Sequence, residues 1–335
     1  MPADAPLIQM MPCRIDASSL SALSALSAVR AILEAAWDIP AGALSSEPMS
    51  TLLLDTSSLT YRAFFALPSS ITGPHGRPVN AVRGVLDMTA RLLIDRRPGE
   101  LVHCFDADWR PAPRVAAYDG YKATRNEEPA ELTWQFRLLE EVLEAFGLPR
   151  VQAPGWEADD AIGTLCARAA AGDRVDIVTG DRDLLQLVRD DGPVVRVLFT
   201  VKGVRELEEF DEAAVRRKYG VPPQRYVDFA TLRGDPSDGL PGVSGVGEKT
   251  ARDLVRRYDS IQALLADERA HSLRLGQRLR DAAGYLAAME QVVPVRTDVS
   301  LERFDGARDE SRLAELSAAH GIDGPIGRLR EALDG

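Results

Sequence analysis

The chain has 335 residues, with 51 acidic and 40 basic side chains and a formal net charge of −11. This acidic balance argues against nucleic-acid binding over the whole surface, although a local basic face is still compatible with it. The three cysteines are scattered without a CxxC pair, which suits a reducing cytoplasm better than a disulfide scaffold or a zinc site. No apolar run reaches the ~20 residues of a membrane span, so we expect no membrane partner.

Residues 1–48 are predicted to be separate from the fold that follows. Leucines and alanines recur at helical spacing from Leu20 to Leu33, and Pro40 would end such a helix. The segment lacks the basic start of a secretory signal. It is interpreted as an extension, a partner-binding helix or translated sequence upstream of a start at Met49. The last is favoured because the folded pattern begins directly after Met49.

Short apolar strands alternate with helices in the part that follows. Strands are predicted at residues 51–55, 101–106, 150–153, 173–179 and 194–199. This alternation favours an α/β fold with a mostly parallel central sheet covered by helices on both faces. Ligands of such sheets bind at the carboxyl ends of the strands.

Acidic residues at the strand ends, at a helix start and in a later turn form the main functional signal. The densest stretch carries Glu157-Ala158-Asp159-Asp160 at a helix start and Asp181-Arg182-Asp183 just after a strand. Carboxylates forced together repel one another, and a hard divalent cation such as Mg²⁺ or Mn²⁺ would offset the repulsion. Helix capping is the alternative for each acid alone. The candidate metal ligands are Asp55, Asp106, Glu157, Asp159, Asp160, Asp181, Asp183, Asp235 and Asp238.

The segment Trp109–Pro129 interrupts the α/β pattern. Basic side chains and tyrosines lie between its prolines, namely Arg110, Arg114, Tyr118, Tyr121, Lys122 and Arg125. This mixture suits phosphate pairing and base stacking on a single strand, and a solvated loop is the alternative. Arg62, about one helical turn after Asp55, faces either the same site or solvent. Asp108 either joins the acids or faces solvent, and we expect solvent.

From about Asp211 onwards, short helices and turns replace the strands. The glycine-rich run Gly242–Gly247 precedes a helix with several basic residues. Glycines let backbone N–H groups approach a phosphate, and a helix N-terminus favours anions. The run therefore predicts duplex binding that is independent of base sequence, with a packing corner as the alternative. The candidate DNA contacts here are Ser244, Gly245, Gly247, Lys249 and Arg252.

Taken together, these motifs resemble the bacterial 5′ nuclease family, which includes the 5′-3′ exonuclease domain of DNA polymerase I. The matching stretches are LLLDTSSLTYRAF, CFDA, YKATR, EADDAIGTL, TGDRDLLQL and RGDPSDGLPGVSGVGEKTA. The resemblance implies a PIN-like catalytic domain at residues 49–210, with an arch at about 109–129. It further implies a helix–hairpin–helix duplex-binding subdomain at residues 211–335. No polymerase motif follows, so we expect a stand-alone enzyme.

The resemblance also implies an activity: a metal-dependent 5′-3′ exonuclease and 5′ flap endonuclease that hydrolyses DNA by two-metal-ion catalysis. Arg62 and Lys122 would then assist the chemistry, and Tyr121 and Arg125 would contact the DNA strand. The implied cofactors are two or more Mg²⁺ or Mn²⁺ ions and a monovalent cation at the hairpin. The implied substrate is DNA with a 5′ flap, a nick or a 5′ end, in the cytoplasm and at the nucleoid, with a DNA polymerase as candidate partner. A PIN-type ribonuclease and a non-catalytic junction-binding protein stay open as alternatives.

Overall fold

A seven-stranded sheet lies at the centre of the structure, a computed structural model that describes residues 50–125, 128–267 and 271–335. The strand order is β6-β5-β4-β1-β2-β3-β7. The strands are β1 (Ser50–Asp55), β2 (Glu100–Phe105), β3 (Arg150–Gln152), β4 (Arg174–Thr179), β5 (Val194–Thr200), β6 (Leu207–Phe210) and β7 (Glu302–Phe304). The predictions for residues 1–48 lie outside the described residues.

The inner strands pair in parallel, whereas the edge strands β6 and β7 run antiparallel to β5 and β3. The prediction of a mostly parallel sheet is therefore confirmed. β1 lies between β2 and β4, so the chain adds later strands on opposite sides of it. A reversal of this kind opens a crevice at the carboxyl ends of the strands, where α/β proteins bind their ligands.

Helices cover both faces of the sheet. They are α1 (Thr56–Ala66), α2 (Asn80–Arg96), α3 (Ala112–Ala117), α4 (Ala130–Phe146), α5 (Ala158–Arg168), α6 (Glu212–Tyr219), α7 (Tyr226–Arg233), α8 (Glu248–Arg257), α9 (Ile261–Ala266), α10 (Leu273–Asp281), α11 (Ala283–Val292), α12 (Glu310–His320) and α13 (Asp323–Asp334). Short 3₁₀ helices span Asp183–Leu187, Pro223–Arg225 and Pro236–Asp238. None of the helices in the described part of the chain is long and apolar enough to span a membrane.

Two hydrophobic cores lie on opposite faces of the sheet. Leu52 and Leu54 of β1 belong to one core, and Leu53 between them belongs to the other, as the two-residue period of a strand requires. Helices α1, α2, α4, α12 and α13 build the first core, and α5 with α6 to α11 build the second. The helices around the glycine-rich run therefore share a core with α5. The start of α5 carries the acid group Glu157–Asp160.

Two predicted segments differ from the structure. The expected loop Trp109–Pro129 contains α3, which starts after Pro111 with a second proline in its first turn, where proline is tolerated. The tail after Asp298 contains the strand β7 besides α12 and α13, although only short helices and turns were expected after Asp211.

Candidate active site

The carboxyl ends of β1, β2 and β4 each lead into an acidic residue. Asp55 ends β1, Asp106 directly follows β2, and Asp181 stands two residues after β4. Asp55 is buried and accepts hydrogen bonds from the Ser58 backbone (3.1 Å) and the Thr179 hydroxyl (2.6 Å). Burial raises the pKa of Asp55 to about 7; the hydrogen bond from Thr179 opposes the rise, and the charges of Asp106 and Asp181 add to it. The strand ends thus place these carboxylates in one another's electrostatic field.

Asp159 and Asp183 add negative charge to the same crevice. Burial raises the pKa of Asp159 well above its ordinary value, and the charges of Asp181 and Asp55 raise it further. Burial also raises the pKa of Asp183, with the charges of Asp181 and Asp238 adding to the effect. Within the described part of the chain, the Asp159 carboxylate accepts no hydrogen bond. Repulsion among these groups is a cost that a divalent cation would relieve.

The turn between α7 and α8 contributes Asp235 and Asp238. Asp235 begins a short 3₁₀ helix and accepts the Ser237 backbone N–H at 2.9 Å. Asp238 is buried and accepts a hydrogen bond of 2.6 Å from Nη2 of Arg125, which is itself exposed. Burial raises the pKa of Asp181, and the charge of Asp238 raises it further, followed by a smaller contribution from Asp235. This turn therefore belongs electrostatically to the strand-end acids.

Glu157 is held by three side chains of the segment Trp109–Pro129. It accepts hydrogen bonds of 2.6 Å from both the Tyr121 hydroxyl and Nη1 of Arg114, and it forms an ion pair with Lys122. Tyr121 is only 4% exposed. This differs from the expectation that Tyr121 stacks on a DNA strand, because its ring packs inside the protein and its hydroxyl is held by Glu157. Arg114 differs in the same way, since it is buried rather than open to phosphates.

A cavity of about 20 Å³ lies among these groups. Its acidic lining consists of Glu157, Asp159, Asp181, Asp183 and Asp238, and Lys122 lies beside them. A cavity of this size accommodates about one water-sized species. Among the residues that the structure describes, no three His, Cys, Asp or Glu side chains are grouped so that they could hold one metal ion. These five acids therefore line one cavity, and two of them, Glu157 and Asp238, form ion pairs with basic side chains.

The donor set nevertheless fits a hard divalent cation. It consists of carboxylate oxygens, which Mg²⁺ and Mn²⁺ prefer. Burial first, and then neighbouring carboxylates, disfavour the charged forms of Asp55 and Asp159 and raise the pKa of both, and a bound cation would favour those charged forms. Asp108 is half-buried and accepts the backbone N–H of Arg110 at 2.9 Å, so it caps a local turn.

Arg62 of α1 reaches the turn that carries the acid group Asp181–Asp183. Its Nη2 donates to the carbonyl of Gly180 at 3.2 Å, and its guanidinium lies 5.8 Å from the centre of the Phe199 ring. Gly180 directly precedes Asp181. The structure therefore places the Arg62 charge next to the strand-end acids and not in open solvent, the alternative that the sequence left open.

The hairpin Gly242–Gly247 is anchored by two buried valines, Val243 and Val246. The residues between and after them are exposed, namely Ser244, Gly245 and Gly247. The backbone N–H groups of these three residues have no hydrogen-bond acceptor in residues 50–125, 128–267 and 271–335. Open N–H groups at the start of a helix, here α8, are a favourable environment for phosphate oxygens.

Basic side chains surround this hairpin. Lys249 is exposed on α8, whereas the Arg252 side chain lies against Gly220, where an added Cβ would overlap its Cδ. Arg278 of α10 was not identified from the sequence. A Cβ built on Gly245 would lie 2.6 Å from Cζ and 2.8 Å from Nη2 of Arg278. The guanidinium therefore covers the hairpin backbone, a contact between distant segments that no local motif could reveal.

Two family models match the chain. The 5′-3′ exonuclease N-terminal resolvase-like domain matches residues 50–220, and the 5′-3′ exonuclease C-terminal SAM fold matches residues 221–311. Together they cover most of the chain, including all of the acids described above. The resemblance drawn from the sequence motifs is thereby confirmed.

Known proteins and structures agree with these matches. A 5′-3′ exonuclease of Streptomyces coelicolor is 49% identical over 302 residues, which cover 84% of this chain and 99% of that protein. The DNA polymerase I of Mycobacterium bovis is 43% identical over 252 residues, which cover 75% of this chain and 27% of that protein. A bacteriophage T5 flap endonuclease, solved with DNA and metal ions, shares the fold with a TM-score of 0.59 at 17% identity, covering 85% of this chain and 98% of that one. The chain therefore belongs to the 5′-3′ exonuclease family and is a nuclease that hydrolyses phosphodiester bonds.

Proposed function

We propose that this nuclease is divalent-metal-dependent and cuts DNA where a 5′ single strand meets duplex, as well as trimming 5′ ends. The observation that carries the proposal is the group of mutually repelling carboxylates at the strand ends around β1. Burial and mutual repulsion disfavour their charged forms and raise the pKa of Asp55, Asp159 and Asp183, and a divalent cation would favour those charged forms. The T5 flap endonuclease of the same fold was solved with DNA and metal ions, which supports the same ligands here.

The residues that would hold the ions are the acids without a basic partner in the described part of the chain. They are Asp55, Asp106, Asp159, Asp181 and Asp183, with Asp235 and Asp238 beside them. Two Mg²⁺ or Mn²⁺ ions, when bound, would polarise the phosphate and lower the pKa of a bound water. A monovalent cation at the hairpin is part of the same proposal.

Arg62 and Lys122 would supply fixed positive charge where the phosphate reacts. Arg62 is held against Gly180, and Lys122 is paired with Glu157. Exchange of this ion pair for a phosphate would free the Glu157 carboxylate as substrate arrives. The ion pair thus neutralises Glu157 and Lys122 until a negatively charged strand enters the crevice.

The hairpin and its basic neighbours would hold the duplex. The open N–H groups of Ser244, Gly245 and Gly247 and the exposed Lys249 offer contacts to phosphates, which carry no base specificity. Arg125, exposed beside Asp238, would contact the strand between hairpin and acids. The division into a catalytic domain at 49–210 and a duplex-binding subdomain at 211–335 remains part of this proposal.

Competition between two substrates tests the proposal. A labelled DNA with a 5′ flap and a labelled single-stranded RNA are mixed with the enzyme and Mg²⁺ in one reaction. We expect cleavage of the DNA near the flap junction while the RNA stays intact. Faster cleavage of the RNA would overturn the DNA substrate in favour of a ribonuclease.

A further inference from the structure

Asp160 is fully occupied by protein hydrogen-bond donors. Its Oδ1 accepts from Nη2 of Arg114 (2.7 Å) and from the backbone of Arg296 (2.9 Å). Its Oδ2 accepts from Nη1 of Arg114 (2.8 Å) and from the backbone of Glu157 (3.2 Å). A carboxylate offers about four lone-pair positions, so none is left for a cation. The residue is also 0% exposed.

The guanidinium of Arg114 is likewise engaged by acceptors within the protein. Besides Asp160, its guanidinium donates to Glu157 Oε2 (2.6 Å) and to the carbonyls of Val292 (3.0 Å) and Pro294 (3.3 Å). It is 3% exposed and lies 5.8 Å from the centre of the Trp156 ring. A bidentate arginine–carboxylate pair of this kind fixes the orientation of both groups.

We propose that Arg114 and Asp160 form a positioning clasp, and that Asp160 is not one of the metal ligands. This inference rests on the proposed metal-dependent function and revises the ligand set expected from the sequence. In this arrangement Asp159 presents its carboxylate to the crevice, while Asp160, on the next residue, faces the protein. The clasp therefore holds the first turn of α5 in one orientation.

The same clasp joins two parts of the chain. Val292 is the last residue of α11, Pro294 and Arg296 follow it, and all three bond to Arg114 or Asp160 through backbone atoms. Helix α11 shares its core with α7 and α8, which flank the hairpin. Arg114 and Asp160 thus form a direct polar link between the acid group at the start of α5 and the helical region that would hold the duplex.

Metal-free thermal unfolding separates the roles of the two neighbouring aspartates. Asp159→Asn changes a carboxyl group that accepts no hydrogen bond in the described part of the chain, so we expect an unchanged or higher Tm. Asp160→Asn leaves the buried Arg114 paired with Glu157 alone among the described carboxylates and breaks the bidentate ion pair, so we expect a clearly lower Tm. An Asp160→Asn variant as stable as wild type would overturn the clasp. This arm involves no metal, so it stands even if the proposed function fails.

Mn²⁺ titration by calorimetry then tests whether Asp160 is a ligand. We expect Arg114→Lys and Asp160→Asn to bind as many Mn²⁺ ions as wild type, with affinity weakened about 10- to 100-fold, as for other supporting residues of metal sites. Asp159→Asn should lose at least one ion. If Asp160→Asn fails to fold, the double variant Arg114→Met/Asp160→Leu replaces it, since an apolar pair often substitutes for a buried ion pair. Loss of one ion by the folded Asp160 variant would overturn the inference. A wild type that binds no Mn²⁺ would instead contradict the proposed function.

Discussion

Gly180 shows how a single residue shapes the site. It stands between β4 and Asp181, and a Cβ built on it would overlap Nε of Arg62 and lie 2.6 Å from Cζ. The backbone at this point must therefore stay bare for the guanidinium to reach the Gly180 carbonyl. Glycine is therefore required at this position of the TGDRD motif because a larger residue would clash with Arg62, which lies 118 positions away in the chain.

Gly180→Ala should consequently displace Arg62. We expect single-turnover cleavage of a flap DNA to slow by about 100-fold, the loss that a displacement of about 1 Å in an active site can cause. Gly327→Ala is the matched control, because an added Cβ there meets no atom within 4 Å. Equal rates for the two variants would show that the position of Arg62 does not matter for the reaction.

The sequence indicated the position of each acidic residue, but it did not indicate which basic residues would pair with them. Asp55 and Asp106 follow apolar runs that end abruptly, and the ends of parallel strands meet at one edge of the sheet. Arg114 could not be distinguished from the exposed basic residues around it, because its burial depends on carbonyls of Val292 and Pro294 far along the chain. Sequence patterns report a residue's own element, whereas its burial depends on what packs against that element.

Among the secondary-structure elements, α10 extends the basic surface of the hairpin. Its Arg278 lies over Gly245, and its guanidinium has no ion-pair partner in the parts of the chain that the structure describes. The φ of Gly245 is 68°, so this backbone position both favours glycine and leaves room for the arginine. Helix α10 thus contributes a free cation directly beside the open N–H groups of the hairpin.

Arg278→Gln should weaken duplex binding through one lost phosphate contact. In a plot of log K against log salt concentration, the slope is negative, and we expect its magnitude to decrease by about 1. Arg280→Gln on the same helix is the control, since Arg280 is exposed and bonds to Gln277 instead. Fluorescence anisotropy with a labelled duplex in Ca²⁺ measures both. An unchanged slope for the Arg278 variant would remove it from the interface.

Apolar elements were predicted more accurately than short polar ones. Strands β1 (Ser50–Asp55) and β5 (Val194–Thr200) agree with the predicted ranges 51–55 and 194–199 to within one residue, because each is a largely apolar run. The edge strands β6 (LEEF) and β7 (ERF) were missed. They consist mainly of charged residues, and only their pairing with β5 and β3 makes them strands.

For the whole molecule, the acid cluster should make stability depend on pH. Burial raises the pKa of Asp55 to about 7, above the ordinary carboxyl value of 3.8 that applies in the unfolded chain. Between these values the folded state keeps a proton that the unfolded state releases, so stability falls as pH rises from about 4 to about 7. Asp159, whose pKa burial raises well above its ordinary value, acts in the same direction.

Thermal unfolding at pH 5 and pH 8 measures this effect. Without metal we expect a lower Tm at pH 8, and we expect Mg²⁺ to raise the Tm more at pH 8 than at pH 5. Repulsion among the charges of a chain with net charge −11 also lowers the stability as the pH rises. Asp159→Asn isolates the contribution of the site, because it should reduce the pH dependence and the response to Mg²⁺ together. A Tm that rises between pH 5 and pH 8 without metal would contradict this account.

The central claim is that the clustered carboxylates hold the divalent ions that permit strand cleavage. Its most direct test is single-turnover cleavage of a 5′ flap DNA by wild type and Asp181→Asn, each with Mg²⁺ and with EDTA, beside a binding measurement in Ca²⁺. We predict rapid cleavage by wild type in Mg²⁺ only, and no cleavage by the variant although it still binds the DNA. Cleavage by wild type in EDTA at the Mg²⁺ rate, or normal turnover by the variant, would contradict the claim.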